Sequence, residues 1–229
     1  MTDRIADVPA LPHRRGEDRQ STKAQLLEAA GHVFAEKGFD RATGREICDR
    51  AGTNTAAVNY YFGGMDGLYS AVLEEANRRL IPLATLASTV AGKPNAKAQL
   101  QAIIELAVEK LTGPVSSSWV FGVMAREFVS PSPAIDAFRQ RNGVPKARIM
   151  MSIVAELMDL PAEHPAVARG CLVLMAPFVM LMIGDRLSLK QFLPGLDFGA
   201  TGATALSRDL LAFMLGGLAA VARDVHEDE

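Results

Sequence analysis

Beyond residue 21, apolar residues recur along nearly every segment with helical spacing, and no stretch alternates convincingly with period two. The pattern predicts an all-α chain. A first helix is expected over 22–37, where Leu26, Leu27, Ala30, Val33 and Phe34 make one apolar face. Gly38 follows as a left-handed cap. A second helix opens at "ATGRE", with Thr43 as N-cap and Glu46 three residues on, a capping box. Ala51-Gly52 stops it, and Thr53 is the expected N-cap of a third helix that ends at Gly63-Gly64. Asp66 is placed to begin a fourth helix running to Leu80. Two short helices joined by a tight glycine-containing turn form a helix-turn-helix, and the apolar face of the first helix supplies the wall that such a pair lacks.

Downstream, "LASTVAGKPNA" (86–96) reads as a connector, although its alanines would also allow a helix tail. Helices are expected at 96–112, 117–129, 134–160, 165–189 and 204–224, with Asn142-Gly143-Val144-Pro145 breaking or bending the third of these. Residues 1–20 hold Pro9, Pro12 and mixed charges with little apolar periodicity, and read as a flexible arm. The expected organisation is an arm (1–20), a helix-turn-helix domain (21–66) and a larger helical domain (67–229).

Composition narrows the class. A chain of 229 residues with 49% hydrophobic residues and a net charge of −2 is globular rather than disordered or strongly basic. Cys48 and Cys171 stand far apart without a CxxC or a nearby histidine, which argues against a disulfide framework or a zinc site and fits a reducing cytoplasm. No signal-peptide pattern is present at the N-terminus. The longest apolar run, 171–183, is shorter than the ~20 residues of a membrane span and has a proline in its middle. His13, His32, His164 and His226 are scattered, and there is no HExxH, GxSxG or phosphate-cradling glycine loop. An enzyme is therefore not expected, nor a cofactor or metal.

The third helix has two unlike faces. At 100° per residue, Ala57, Val58 and Tyr61 cluster on one side, Thr55, Ala56 and Asn59 on the other, and Tyr60 sits on a flank. The first group suits packing on the first helix. The second is small and polar, as a helix approaching base edges in a major groove requires. Tyrosines at its edge suit phosphate contact through their hydroxyls, while Tyr60, Tyr61 and Phe62 would equally serve as core.

Here the chain resembles a family. "STKAQLLEAAGHVFAEKGFDRATGREICDRAGTNTAAVNYYFGGMDGLYSAVL" looks like the N-terminal domain of TetR-type (TetR/AcrR) transcriptional regulators. The matching features are an amphipathic first helix ending in F-x-x-x-G-F, then T-x-R-E-I, A-G and Y-Y-F. "REFVSPSPAID" (126–136) is similar to the CecR/CerR-like subgroup. The resemblance implies that Thr43, Tyr60 and Tyr61 meet phosphates, and that Asn54 joins them at the DNA surface. It implies that Thr55, Ala56 and Asn59 lie nearest the bases, and that Arg45 braces the second helix or reaches the backbone. Two positions depart from the family pattern: Met65 stands where a lysine is common, and Gly44 replaces a larger residue. Between residues 21 and 80, Lys23, Lys37, Arg41, Arg45, Arg50, Arg78 and Arg79 face eight carboxylates, so no basic patch is visible; Arg14, Arg15 and Arg19 of the arm would compensate, or belong to a solvated tail.

In the larger part, 165–189 is apolar nearly all round. Leu206, Leu210, Leu211, Met214, Leu218 and Val221 line one side of 204–224, where Gly216-Gly217 would let another backbone come close. Such helices invite pairing with their copies as a four-helix bundle across a two-fold axis, a homodimer that the resemblance also implies; an ordinary intrachain core is the alternative. Trp119, Phe121, Met124, Phe128, Met151, Met175, Phe178 and Met182 are the candidate lining of an adaptable apolar pocket, with Met150 and Met158 nearby. Arg126, Glu127, Asp185 and Arg186 would give it a polar end or form surface pairs. The expected partners are double-stranded DNA with a palindromic operator, a small hydrophobic or amphipathic effector and a second copy of the chain, with no membrane. The expected function is a regulator, most simply a repressor, released by the effector. A helical dimeric adaptor without DNA binding is the other reading.

Overall fold

A computed structural model describes residues 13–113 and 118–228, with the backbone alone over 13–19 and at 228. Every regular element among the described residues is a helix. The chain divides into two compact units, Met1–Val72 and Leu73–Glu229.

The first unit holds α1 (His13–Lys37), α2 (Gly44–Ala51), α3 (Ala56–Phe62) and the start of α4 (Met65–Arg79). Leu26, Ala30, Val33 and Phe34 of α1 are buried, as are Ile47, Cys48, Val58, Leu68 and Tyr69. Phe34, Phe39 and Tyr69 stack on one another, with Phe34 and Tyr69 edge to face at 4.7 Å. Each fully buried large side chain contributes about 1.5–3 kcal/mol, which lets helices of seven and eight residues persist where isolated ones would melt. Two ion pairs tie α1 to α2: Arg50 to Glu36 at 2.8 Å and Lys37 to Glu46 at 2.7 Å.

The second unit adds α5 (Leu83–Val90), α6 (Ala96–Thr112), α7 (Trp119–Val129), α8 (Ile135–Phe138), a π-helical turn at Arg139–Gly143, α9 (Val144–Met158), α10 (Pro165–Ile183), α11 (Arg186–Phe192) and α12 (Ala200–Asp228). Its core is built from Leu100, Ile104 and Val108 of α6, Ile153, Val154 and Met158 of α9, Leu174 of α10, and Met214 and Leu218 of α12.

Several boundaries differ from the sequence expectation. Helix α1 starts at His13, not near residue 22; once the packed half is helical, each further residue adds a hydrogen bond without a new nucleation cost. The expected arm is thus helical from 13 to 20, and residues 1–12, like the side chains of Arg14, Arg15 and Arg19, lie outside the described residues. The expected connector holds α5, because Leu86 is buried in the core and Pro82 sets the backbone angle just ahead of the first turn. The N-cap position of α3 is Thr55, not Thr53, and its side chain makes no capping bond; Thr53 Oγ1 is buried without a hydrogen-bond partner among the described residues. In α2 the Thr43 hydroxyl accepts from the Glu46 N–H, but the Glu46 carboxylate turns to Lys37, so only half of the capping box forms. The expected 134–160 helix is divided by the π turn, since Pro145 has no N–H to donate and its ring crowds the preceding turn. Gly184 ends α10 earlier than expected, and the start expected at residue 117 falls outside the described residues.

By length and composition α10 and α12 are both apolar enough to cross a membrane, a feature that the short run 171–183 concealed in the sequence. Each nevertheless carries charges, Arg169 on α10 and Arg208, Asp209, Arg223 and Asp224 on α12, and each buries one face in its own chain through Leu174, Met214 and Leu218.

Candidate nucleic-acid interface and ligand cavity

Helices α2 and α3 are joined by a turn that begins at Gly52, whose φ of 65° is left-handed. The Thr53 N–H donates back to the Cys48 carbonyl at 2.9 Å and closes α2. Ala57 and Val58 point inward and are buried. Asn54, Thr55, Ala56, Asn59 and Tyr60 are exposed, Tyr60 to 65%. The expected division of α3 into an anchoring and an outward face is therefore present.

Tyr61 is half-buried rather than core, its ring edge-on to Tyr60 at 4.8 Å. Phe62 is also half-buried, beneath the Lys23 ammonium at 5.5 Å from the ring centre. On α2, Thr43 and Arg45 are exposed, and Arg45 approaches Asp49 one turn on at 3.9 Å. The exposed positions of α2 and α3 thus carry small polar groups, hydroxyls and the Arg45 guanidinium. Met65 is half-buried, and its sulfur would lie 3.6 Å from a Cβ placed on Gly44, so the two departures from the family pattern adjoin.

Within the second unit a cavity of about 660 Å³ opens among α4, α6, α7, α9 and α10, a volume that suits a drug-sized ligand. Met124, Phe128, Met151, Met175, Phe178 and Met182 line it as expected. Trp119 and Phe121 do not: both are buried, and the Arg79 guanidinium lies over the Trp119 ring at 4.9 Å. Of the expected polar end only Glu127 faces the cavity; it is buried and accepts from the Ser132 N–H at 3.0 Å. Asp185 instead caps α11 by accepting from the Ser188 N–H, a bond that holds its carboxyl below the usual range. Arg186 donates to the Leu111 carbonyl and lies over Phe198.

The polar end that sequence reasoning missed is Asn77, Asn142 and Lys146. Buried Asn77 donates to Asn142 Oδ1 at 2.9 Å and accepts from the Lys146 ammonium. Asn142 in turn donates to the Glu74 carboxylate, which also takes Arg141 at 2.9 Å. Burial pushes the Lys146 pKa down, and the Glu74 charge opposes the shift. One signal was available: Asn77 interrupts the apolar stripe of Leu73, Ala76 and Leu80. Cys171 also lines the cavity, where burial raises its thiol pKa.

Comparison with known proteins finds matches in both units. The family model of bacterial regulatory proteins of the tetR family matches residues 26–72. The model of the C-terminal domain of the HTH-type transcriptional dual regulator CecR matches residues 96–218. The chain is 30% identical over 205 residues to the HTH-type transcriptional regulator BetI of Paraburkholderia phymatum, an alignment that covers 88% of this chain and 97% of that protein. Among solved structures, the ketosteroid transcriptional regulator KstR2 of Mycobacterium tuberculosis shares the fold at a TM-score of 0.60 and 20% identity, covering 91% of this chain and 96% of that one. FadR of Bacillus subtilis, solved in complex with stearoyl-CoA, does so at 0.62 and 16%, covering 85% and 98%. The chain belongs to the TetR family of bacterial regulatory proteins, with a CecR-type C-terminal domain, and is a ligand-responsive DNA-binding transcriptional regulator rather than an enzyme.

Proposed function

We propose that the chain is a cytoplasmic repressor that binds a palindromic operator as a homodimer and is released by a small apolar or amphipathic molecule. The observation that carries the DNA reading is the exposed face of α3, where small polar residues stand out and Ala57 and Val58 are buried behind them. Thr55, Ala56 and Asn59 meet base edges, with the Asn59 amide pairing an adenine edge. Thr43, Asn54, Tyr60 and Tyr61 meet the backbone, and Arg45 reaches a phosphate or braces α2. Residues 21–66 serve DNA and 67–229 serve ligand and partner.

Dimerisation is supported by the outer face of the two long C-terminal helices. Val173 is 69% and Phe213 82% exposed, and a Cβ added at Gly216 or Gly217 would meet nothing within 4 Å. A second copy is a better occupant of that face than lipid, given the charges the same helices carry. The cavity supports a ligand whose entry shifts α4, separates the two recognition helices and lowers DNA affinity, by no more than the ligand's own preference for the expanded state.

Asn59→Ala tests the assignment of α3. On sites selected from random DNA, the variant should lose about 1–3 kcal/mol of preference for the selected sequence and keep its affinity for unrelated DNA. Unchanged preference would remove Asn59 from base reading. Met65→Lys restores the family cation: it should tighten binding and steepen the slope of log K against log salt by about one per protomer, about two for the dimer, read by fluorescence anisotropy across a salt series.

A further inference from the structure

We infer that the effector carries an anionic head group on an apolar body, and that Lys146 holds that head group at the Asn77–Asn142 end of the cavity. The inference rests on the reading of the cavity as the effector site and adds the chemistry of what enters it.

Lys146 is half-buried and lines the cavity. An ammonium has three donors; here one is directed to the Asn77 side-chain oxygen. No carboxylate comes within 4 Å of it among the described residues. Glu74, the acidic group whose charge it feels, is already bonded to Arg141 and Asn142. The other cations on the wall are matched, Lys110 with Glu109 at 3.2 Å and Arg139 with Asp136 at 3.6 Å.

Asn77 is fixed by its bond to Asn142, so its oxygen stays turned to Lys146 and leaves the remaining donors for a ligand. A cation held against an apolar wall without an acidic partner is costly. A ligand carboxylate or similar anion would relieve that cost through charge-assisted hydrogen bonds. The depressed pKa of Lys146 agrees: burial disfavours the charged amine, and a nearby anion would oppose this. The rival occupant is a cationic head group on Glu127, whose carboxylate already receives the Ser132 N–H.

The test compares three probes that share one chain, dodecanoate, dodecanol and dodecyltrimethylammonium, titrated calorimetrically with the full-length protein below the micelle concentrations of the two ionic probes and the solubility limit of dodecanol. Wild type should bind dodecanoate about ten-fold or more tightly than dodecanol. Lys146→Met should bring that ratio to about one by weakening dodecanoate; Lys146→Arg should keep the preference. Thermal melts confirm that both variants are folded. Equal binding of acid and alcohol by wild type, stronger binding of the ammonium probe, or a preference that survives in Lys146→Met would each overturn the inference. In those cases dodecanol binding still upholds the cavity as the effector site, whereas failure of all three probes to bind overturns both readings.

Discussion

Gly67→Ala is expected to abolish operator binding and to destabilise the N-terminal unit by about 3 kcal/mol or more, at the upper end of overpacking costs. A Cβ at position 67 would stand 1.9 Å from the Phe62 carbonyl oxygen and 3.1 Å from its carbon. Those are backbone atoms of the last residue of α3, so no side-chain rotation relieves the clash. Either α4 moves away or the end of α3 does, and the second displaces the face that carries Asn59 and Tyr60. Gly44→Ala is the matched control. Its Cβ would make an ordinary 3.6 Å contact with the Met65 sulfur, and alanine costs less than glycine in a helix. Thermal unfolding and operator binding of the two variants check the pair: Gly44→Ala close to wild type, Gly67→Ala defective in both.

The second large effect is expected at the proposed dimer face. Phe213→Glu should yield a monomer. The side chain is 82% exposed in a single chain, so a carboxylate there does not harm the fold of that chain. Across a two-fold axis, however, the substitution places two carboxylates in one apolar contact, where an unpaired buried charge costs several kcal/mol. Losing the second half-site removes the gain from linked binding, about 10²–10⁴-fold. Sedimentation velocity and operator titration read the two consequences. A Phe213→Glu protein that stays dimeric would place the interface elsewhere.

How much of this was legible in the sequence follows from which forces decide each feature. The apolar face of α1 was legible because Leu26, Ala30, Val33 and Phe34 repeat with the helical period. The two faces of α3 were legible for the same reason: a helix that buries Ala57 and Val58 must expose Asn59 and Thr55. The N-cap of α3 was not, because Thr53 and Thr55 are chemically equal candidates and only tertiary burial of the Thr53 hydroxyl separates them. Small residues hid α5, which is helical because Leu86 finds the core.

The cavity was half legible. Methionine and phenylalanine on α7, α9 and α10 announced an adaptable apolar lining, but the composition of α7 does not reveal that Arg79 occupies the face of Trp119. Its polar end was hidden for a further reason. Lys146 and Asn142 are ordinary surface residue types, and only the π turn ahead of Pro145 and the buried Asn77 bring them together. Gly67 was overlooked because the close approach it permits is between backbones.

The most direct test of the account is footprinting of wild type and Asn59→Ala on the DNA upstream of the gene and its neighbours. Wild type should protect a palindrome whose half-sites lie about one helical turn, or a small multiple of it, apart, and Asn59→Ala should lose that protection. Absence of a protected palindrome, or an unchanged footprint in the variant, would contradict it.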